Sequence, residues 1–448
     1  MKKIRIAVVG SGISGLSAAW LLSRRHDVTL FEADHRLGGH TNTVNVSVAG
    51  GTTAIDTGFI VSNTWTYPNF SAFMDHLGVA MTNTAMSFSV SAENGRYEYA
   101  GENLATLLGT PRQWASPRHW RMIADLVRFY RTAERLAPQM PESMTLGQFL
   151  HGENYGETFM RRHILPMAGA IWSSTPEQVA AYPLRAFVRF FANHKLFALG
   201  HRPDWRTVTG GSRQYVKRLV ADGRFAVRVS SPVAALRRGV SEAHLTLAGG
   251  ETESFDAVVL ATHADQALGL LSDPSPAERA LLRPFKTSPN RVLLHRDTSL
   301  MPRTRRLWSA WNYRGDEGGQ DSRLAVTYWM NALQKLETST QHFVSLNPQQ
   351  DPAEHLIDGT FQYRHPLFNV ETLAAQRELW SLQGVNRTWF CGAWFGSGFH
   401  EDGLQAGLAV AEQLGGVARP WTVAEPSGRI YAAPLAESQP YPFREAAE

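Results

Sequence analysis

The chain opens on an apolar run, Ile4 to Val9, that passes directly into Gly10-Ser11-Gly12-Ile13-Ser14-Gly15. An acid, Glu32, closes the next apolar run about twenty residues later. Strand, glycine turn, helix and distant acid in this order predict a βαβ unit that holds a dinucleotide. Gly10 permits the tight turn, Gly12 lets the backbone approach a pyrophosphate, and Gly15 lets the helix pack closely on the strand. Ser11, Ile13 and Ser14 line the same loop, and the helix N-terminus offers unpaired N–H groups to phosphate. Glu32 is placed to accept hydrogen bonds from a ribose. The competing reading, an ordinary glycine-rich turn, explains the glycines but neither the strand before them nor the acid after them.

A chain of 448 residues has a soft prior of about three domains, although interleaved two-domain enzymes of this size are common. With 43% hydrophobic and 19% charged residues it is globular, and a mostly disordered chain is excluded. No apolar run approaches the ~18 residues of a membrane span. Met1-Lys2-Lys3 imitates the basic end of a signal peptide, but the apolar stretch behind it becomes the glycine loop without a cleavage site, so a cytoplasmic protein is expected. Its single cysteine, Cys391, excludes a disulfide framework and any multi-cysteine metal or iron–sulfur site. A buried structural thiol is expected there, and no metal.

The net charge of +4 is mild, but its distribution is uneven. Between Arg112 and Arg135 lie Arg118, Arg121, Arg128 and Arg131, opposed only by Asp125 and Glu134, with Trp114 and Trp120 among them. A helix starting near Ser116-Pro117 would carry Ile123, Leu126, Val127 and Tyr130 as its apolar stripe and arginines on the other side. Two readings stay open: a solvated surface helix, or peripheral docking of residues 112–135 to an anionic membrane surface. Nucleic acid is not an expected partner, since no aromatic platform or known module accompanies the charge.

Further along, Ala33-Asp34-His35-Arg36-Leu37-Gly38-Gly39-His40-Thr41 makes a second glycine turn, followed by strands that end at Asp56-Thr57-Gly58. Pro68 opens a helix through Leu77, and Asn94-Gly95 signals a hairpin. A mainly helical stretch extends to about residue 198, with Thr175-Pro176-Glu177 as one helix start. Thr209 to Ser212 lead a helix to Gly223. Strands are expected over Ala226 to Leu236, Ala243 to Leu247 and Ala257 to Ala261, and a sheet region over Arg291 to Asn347. Thr388 to Gly392 precede a loop and a helix from about Gly403 to Leu414. Beyond Pro420 a Pro- and Ala-rich tail would wrap the surface or stay mobile.

The set Gly10 to Gly15, Glu32-Ala33, Gly38-Gly39, Asp56-Thr57-Gly58, Ser231-Pro232-Val233 and Phe390-Cys391-Gly392 with its Gly403 helix resembles the FAD-dependent amine oxidase and phytoene desaturase superfamily. The resemblance covers most of the chain discontinuously. It implies noncovalent FAD and an α/β fold, a discontinuous Rossmann-like FAD domain (1–80, 205–270, 385–416) with an interleaved α+β substrate domain (81–204, 271–384) and a tail (417–448). By the same resemblance Glu32 and Ala33 hold the adenosine ribose, and Gly38, Gly39, His40 and Thr41 face the pyrophosphate and flavin. Thr57, Gly58, Phe59 and Ile60 belong to the cofactor site, Val233 meets adenine, and Gly392, Ala393, Asp402, Gly403 and Leu404 lie along the flavin. The helix N-terminus near Gly403 would face the charge of reduced flavin; alternatively Glu401 and Asp402 are simply first-turn acids.

The departures narrow the substrate. His40 stands where many members carry arginine, and Ala393 where they carry an acid. Asn290 and Arg291 occupy the region of the family's lysine near flavin N5, and Phe399 replaces one tyrosine of the amine cage. The loop Gly398 to Gly403, Gly-Phe-His-Glu-Asp-Gly, resembles that of a bacterial branch acting on unsaturated or branched fatty acyl chains, including a desaturase of furan fatty acid formation and polyenoic fatty acid isomerases. The expected activity is therefore dehydrogenation or double-bond rearrangement of a hydrophobic substrate or lipid by hydride transfer to flavin. His400, with Glu401 beside it, is the leading base, ahead of His163, His263 and His365; Phe399, Trp172 and Tyr328 are the candidate substrate contacts. The rivals are an amine oxidase or carotenoid-type desaturase, and a non-catalytic flavoprotein attached to membranes.

Overall fold

The computed structural model describes residues 3–197, 204–315, 325–415 and 417–432. Five strands, β1 (Arg5–Val9), β2 (Asp27–Phe31), β3 (Ala226–Arg228), β4 (Ala257–Leu260) and β5 (Thr388–Phe390), form one parallel sheet in the order β3-β2-β1-β4-β5. Ile6 to Val9 are buried on both faces, as the apolar run of a central parallel strand requires. Strands from three distant stretches of chain thus meet in a single dinucleotide-type sheet.

Five helices position the site: α1 (Ile13–Leu22), α2 (Pro68–Leu77), α3 (Pro117–Leu136), α4 (Arg213–Asp222) and α5 (His400–Gln413). All ten residues of α1 are buried. It runs against α5 at a distance only small residues allow: a Cβ on Gly407 would lie closer than 3.0 Å to Ser14 O and Ser17 Oγ, and Ser14 Oγ donates to Gly403 O at 2.8 Å. The first and last motifs of the sequence are thereby locked together.

A seven-stranded sheet stands beside the first, in the order Ile357–Leu367, Lys286–His295, Phe343–Leu346, Ala325–Trp329, Trp311–Gly315, Phe88–Ala92, Tyr97–Ala100. Helices between residues 104 and 193 cover it with an aromatic core in which Phe129, Phe149, Phe159, Phe187 and Phe191 are fully enclosed.

Several expectations hold locally. The Asn94-Gly95 hairpin forms, Thr175 caps the helix that Pro176 begins, and Gly78 ends α2 in the left-handed conformation that favours glycine. Others are corrected. The strand expected over Ala226 to Leu236 breaks at Ser230-Ser231-Pro232: Ala226–Arg228 joins the parallel sheet, while Val233–Arg238 enters a separate antiparallel one. Helix α5 begins at His400, not Gly403. The buried stripe of α3 is Met122, Leu126, Phe129 and Ala133, one position round from the expected one, so that Ile123, Val127 and Tyr130 only flank it.

The tail is docked over 417–432. Arg419 pairs with Glu412 (2.8 Å) and donates to Asn69 Oδ1 (2.9 Å), while Arg429 pairs with Asp402 (2.6 Å) and donates to Thr66 O (2.7 Å). Residues 433–448 lie outside the described residues. No described helix is long and apolar enough to cross a membrane.

Candidate active site

One cavity of about 720 Å³ runs from the glycine loop of β1 to the inner face of the seven-stranded sheet. At its dinucleotide end the wall is Gly10 to Ser14, Glu32, Ala33, Gly38 to His40, Thr57 to Ile60, Ser231, Val233, Gly392 and Ala393. Most of these residues come from loops at the carboxyl ends of the parallel strands β1, β2, β3 and β5, where open α/β sheets bind ligands, while Thr57 to Ile60 follow the antiparallel strand Gly51–Asp56. Six separated segments read from the sequence are therefore assembled on one surface.

The glycine loop separates two physical demands. Gly15 has ordinary helical geometry, but a Cβ there would meet Gly10 O closer than 3.0 Å and touch Ala261. Gly12 is different: its φ of −64° and ψ of 176° suit any residue, and a Cβ would find no protein atom within 4 Å. Only a ligand lying against the backbone needs Gly12 bare. Helix α1 has no side-chain cap, leaving its first N–H groups for an anion. Buried His40 Nε2 has no partner, and Glu32, anchored by Ser11 N (2.9 Å) and Asp34 N (2.9 Å), keeps lone pairs for hydroxyls. The cradle fits FAD.

His40 stacks on Tyr363 and meets His365 at a tilt, each 5.2 Å away, and burial with the neighbouring His365 and His263 depresses its pKa well below the usual histidine range. The Tyr363 hydroxyl in turn contacts Asn42 Nδ2 and Thr57 Oγ1, both at 2.8 Å, tying the second sheet to the cofactor loops. Among the described residues no histidine or acid group is arranged to hold a metal ion.

The far end of the cavity is apolar and aromatic. Trp172, Tyr328 and Phe399 line it as expected, with Phe190, Trp311 and Phe368 beside them. Phe399 stacks on Phe190 at 4.9 Å and Trp172 lies 4.6 Å from it. Strand Lys286–His295 offers Val292 to the cavity, while Arg291 turns outward to Asp351 and Asn290 bonds Ser288 and Asn347. Glu32 is the only acid, and no lysine or arginine appears, among the described residues of the wall.

His400 reaches the cavity, but much of its ring is engaged. It stacks on Phe59 at 3.7 Å, and Nε2 contacts Tyr215 OH (2.7 Å) and Thr41 Oγ1 (3.2 Å). Burial lowers its pKa to about 3, so the imidazole is neutral. Glu401, expected beside it as a catalytic group, does not line the cavity. Its carboxylate accepts from Asn69 N, Asn69 Nδ2, Phe70 N and Gln405 Nε2 at 2.9–3.0 Å, capping α2. Five further residues expected at the cofactor do not line the cavity. Gly15, Thr41, Asp402, Gly403 and Leu404 stand behind the wall, because Asp402 is turned to Arg429, Gly403 packs on Ile13 and Ser14, and Leu404 is in the core. Thr41 acts through His400 and Tyr215.

Asp56, at the end of the strand pair after the second glycine turn, is buried and accepts from Ser212 N (2.9 Å), Ser212 Oγ (2.8 Å) and Gln334 Nε2 (2.9 Å), joining α4 to the cofactor loops. Burial raises its pKa from 3.8 to about 6. The folded state therefore binds the proton more tightly than the unfolded chain, and this stabilisation is full below pH 3.8 and lost as pH rises through about 6. Asp56→Asn is expected to remove a fall of about 3 kcal/mol in unfolding free energy across that window, measured as the difference between variant and wild-type urea curves.

Sequence reasoning missed Tyr363, Trp311, His194 and Trp394 as cavity residues. His194 Nε2 and Trp172 Nε1 are buried without partners in the wall, next to Phe190.

Residues 13–415 match the family model described as flavin containing amine oxidoreductase. A 41-residue stretch is 58% identical to protoporphyrinogen oxidase 2, chloroplastic/mitochondrial, of Arabidopsis thaliana, covering 9% of this chain and only 8% of that relative. Among solved structures, cyclohexylamine oxidase from Brevibacterium oxydans IH-35A superposes with a TM-score of 0.67 at 17% identity, over 92% of this chain and 100% of that one. The CLA-producing fatty acid isomerase from P. acnes gives 0.65 at 15% identity, over 92% and 98%. At these identities the likeness is one of fold.

Proposed function

Because the chain belongs to the flavin containing amine oxidoreductase family, and is thus an FAD-dependent oxidoreductase, we propose that it dehydrogenates, or moves double bonds in, an unsaturated or methyl-branched fatty acyl chain. When bound, FAD supplies a hydride acceptor at flavin N5. In this reading residues 1–80, 205–270 and 385–416 hold the cofactor, and 81–204 and 271–384 the substrate.

The observation that carries the proposal is the uncharged far end of the cavity, built from Trp172, Phe190, Trp311, Tyr328, Phe368 and Phe399. An ammonium ion entering it would leave water without a counter-ion, because Glu32 is held by Ser11 and Asp34 at the other end. A hydrocarbon chain has no such penalty and gains about 25 cal/mol for each Å² of apolar surface removed from water. The fold shared with a fatty acid isomerase agrees with this reading, and the fold shared with a cyclohexylamine oxidase keeps the amine rival testable.

His400 is the proposed proton acceptor. With Nε2 committed to Tyr215 and Thr41, the role requires the Nε2–H tautomer and leaves Nδ1 for the substrate proton. Purified yellow protein mixed without oxygen should either lose its visible flavin absorbance to an unsaturated or branched fatty acid, the outcome of dehydrogenation, or keep it while the double bonds of that acid shift, the redox-neutral outcome of isomerisation, and it should leave cyclohexylamine and putrescine unchanged with its flavin oxidised. Bleaching by the amines alone sinks the acyl reading. His400→Ala should retain FAD while slowing flavin reduction about 100-fold or more; an unchanged rate removes His400 as the base.

A further inference from the structure

Far from the glycine loop, a second cavity of about 820 Å³ opens between the Glu93–Tyr97 turn, the short helix Pro111–Trp114, the N-terminal half of α3 and residues 155–162. Six arginines line it: Arg96, Arg112, Arg118, Arg121, Arg161 and Arg162. Its three acids are already paired, Glu93 with Arg162 (3.3 Å), Asp125 with Arg121 (3.9 Å) and Arg128 (3.2 Å), and Glu157 with Arg161. Arg96, Arg112 and Arg118 have no carboxylate partner among the described residues. A cleft with three uncompensated guanidinium groups is matched by phosphate, which the planar fork binds bidentately.

The same stretch exposes apolar surface. Trp114 is 52% exposed, Trp120 50% and Leu104 70%, and Trp114 and Trp120 flank cleft residues directly in sequence. Trp120 Nε1 donates to Trp114 O (2.9 Å), so the polar edge of that indole is satisfied within the chain. His119 Nε2 contacts Leu107 O (3.0 Å), fixing the short helix of Leu104 to α3. The core side of α3 is already filled by Met122, Leu126, Phe129 and Ala133. Free phosphate accounts for the arginines but not for bare tryptophans around them; an anionic lipid surface accounts for both, with headgroups in the cleft and indoles at the level of the acyl boundary.

We propose that this arginine cleft and its tryptophan rim dock the protein on membranes containing anionic phospholipid. The proposal rests on residues remote from the flavin cavity and stands whatever substrate that cavity takes.

Flotation of the FAD-loaded, full-length protein tests it, with vesicles of phosphatidylcholine alone and of phosphatidylcholine with about one third phosphatidylglycerol. Binding to the anionic vesicles only is expected, lost at about 0.5 M salt, where screening is short-ranged. Arg112→Glu with Arg118→Glu should weaken it at least tenfold. Trp114→Ser with Trp120→Ser should weaken binding while leaving its salt dependence, and unchanged flavin content with an unchanged Tm shows that either pair folds. Equal binding to neutral vesicles, no binding to anionic ones, or wild-type binding by the arginine pair overturns the proposal. So does complete displacement by about 10 mM inorganic phosphate, or retention of polyuridylate without vesicle binding.

Discussion

Gly15→Val is expected to yield a protein that holds no flavin and is destabilised by more than about 3 kcal/mol, whereas Gly12→Ser is expected to lose flavin while unfolding like the wild-type apoprotein. The two glycines sit in one turn, yet the structure makes different demands of them. At position 15 any Cβ runs into the carbonyl of Gly10, which cannot retreat because Gly10 N is bonded to Phe31 O (2.8 Å) at the end of β2. Valine adds two methyl groups to that clash and to the contact with Ala261, so α1 must lift off β1, and with it the packing of α1 on α5. At position 12 the backbone is in extended geometry at the N-cap of α1, where serine is a preferred residue. Its side chain enters only the cradle. Urea unfolding of the stripped proteins and the flavin-to-protein absorbance ratio separate the two effects. A Gly12→Ser protein that purifies with full flavin would remove the assignment of this loop to the pyrophosphate.

The same contrast shows what was readable in the sequence. Local requirements were: the tight turn, the acid at Glu32, the caps at Thr175 and Gly78, and the hairpin at Asn94-Gly95 all follow from neighbouring residues. Strand Ile357–Leu367 was equally legible and was missed. Ile357, Gly359, Phe361, Tyr363 and His365 alternate with Asp358, Thr360, Gln362 and Arg364, a period of two that places Tyr363 and His365 on one face, against His40. What could not be read was the destination of side chains whose partners are hundreds of residues away. Asp402 is the first-turn acid that one reading expected, accepting from Phe399 N (2.7 Å), but Arg429 folded back onto its other oxygen was not legible. The apolar wall of the cavity joins residues of α/β loops, helices and sheet whose register is set only by long-range pairing, such as Tyr328 beside Val344. Even for α3 the arginines were evident while the stripe was misplaced by one residue, because Met122 and Phe129 fit an apolar face as well as Ile123 and Tyr130 do.

Glu401 carries the second large effect. Helix α2 starts at Pro68 after Tyr67, which offers no side-chain cap, and its buried first turn needs an acceptor. The Glu401 carboxylate supplies it from more than 330 positions away, taking Asn69 N and Phe70 N, and it also receives Asn69 Nδ2 and Gln405 Nε2. Burial raises its pKa, and these donors with the nearby Arg429 offset that rise only in part; the carboxylate stands at the N-terminus of α2, the end of the helix dipole that favours negative charge. Glu401→Ala leaves Asn69 N, Phe70 N and Gln405 Nε2 without a partner and Asn69 Nδ2 with only Pro426 O, and should cost about 3–5 kcal/mol. Glu401→Gln keeps an oxygen where Oε1 accepts three of the four bonds and loses mainly Phe70 N, so a cost of about 1–2 kcal/mol is expected. In both variants the rate of flavin reduction per bound flavin should stay within about threefold of wild type. A base would behave in the opposite way: glutamine cannot take a proton, so Gln and Ala would slow reduction alike, by about 100-fold or more, whatever they did to stability. The ordering of the two variants in stability, read beside their single-turnover rates, therefore decides whether Glu401 is a cap or a catalyst.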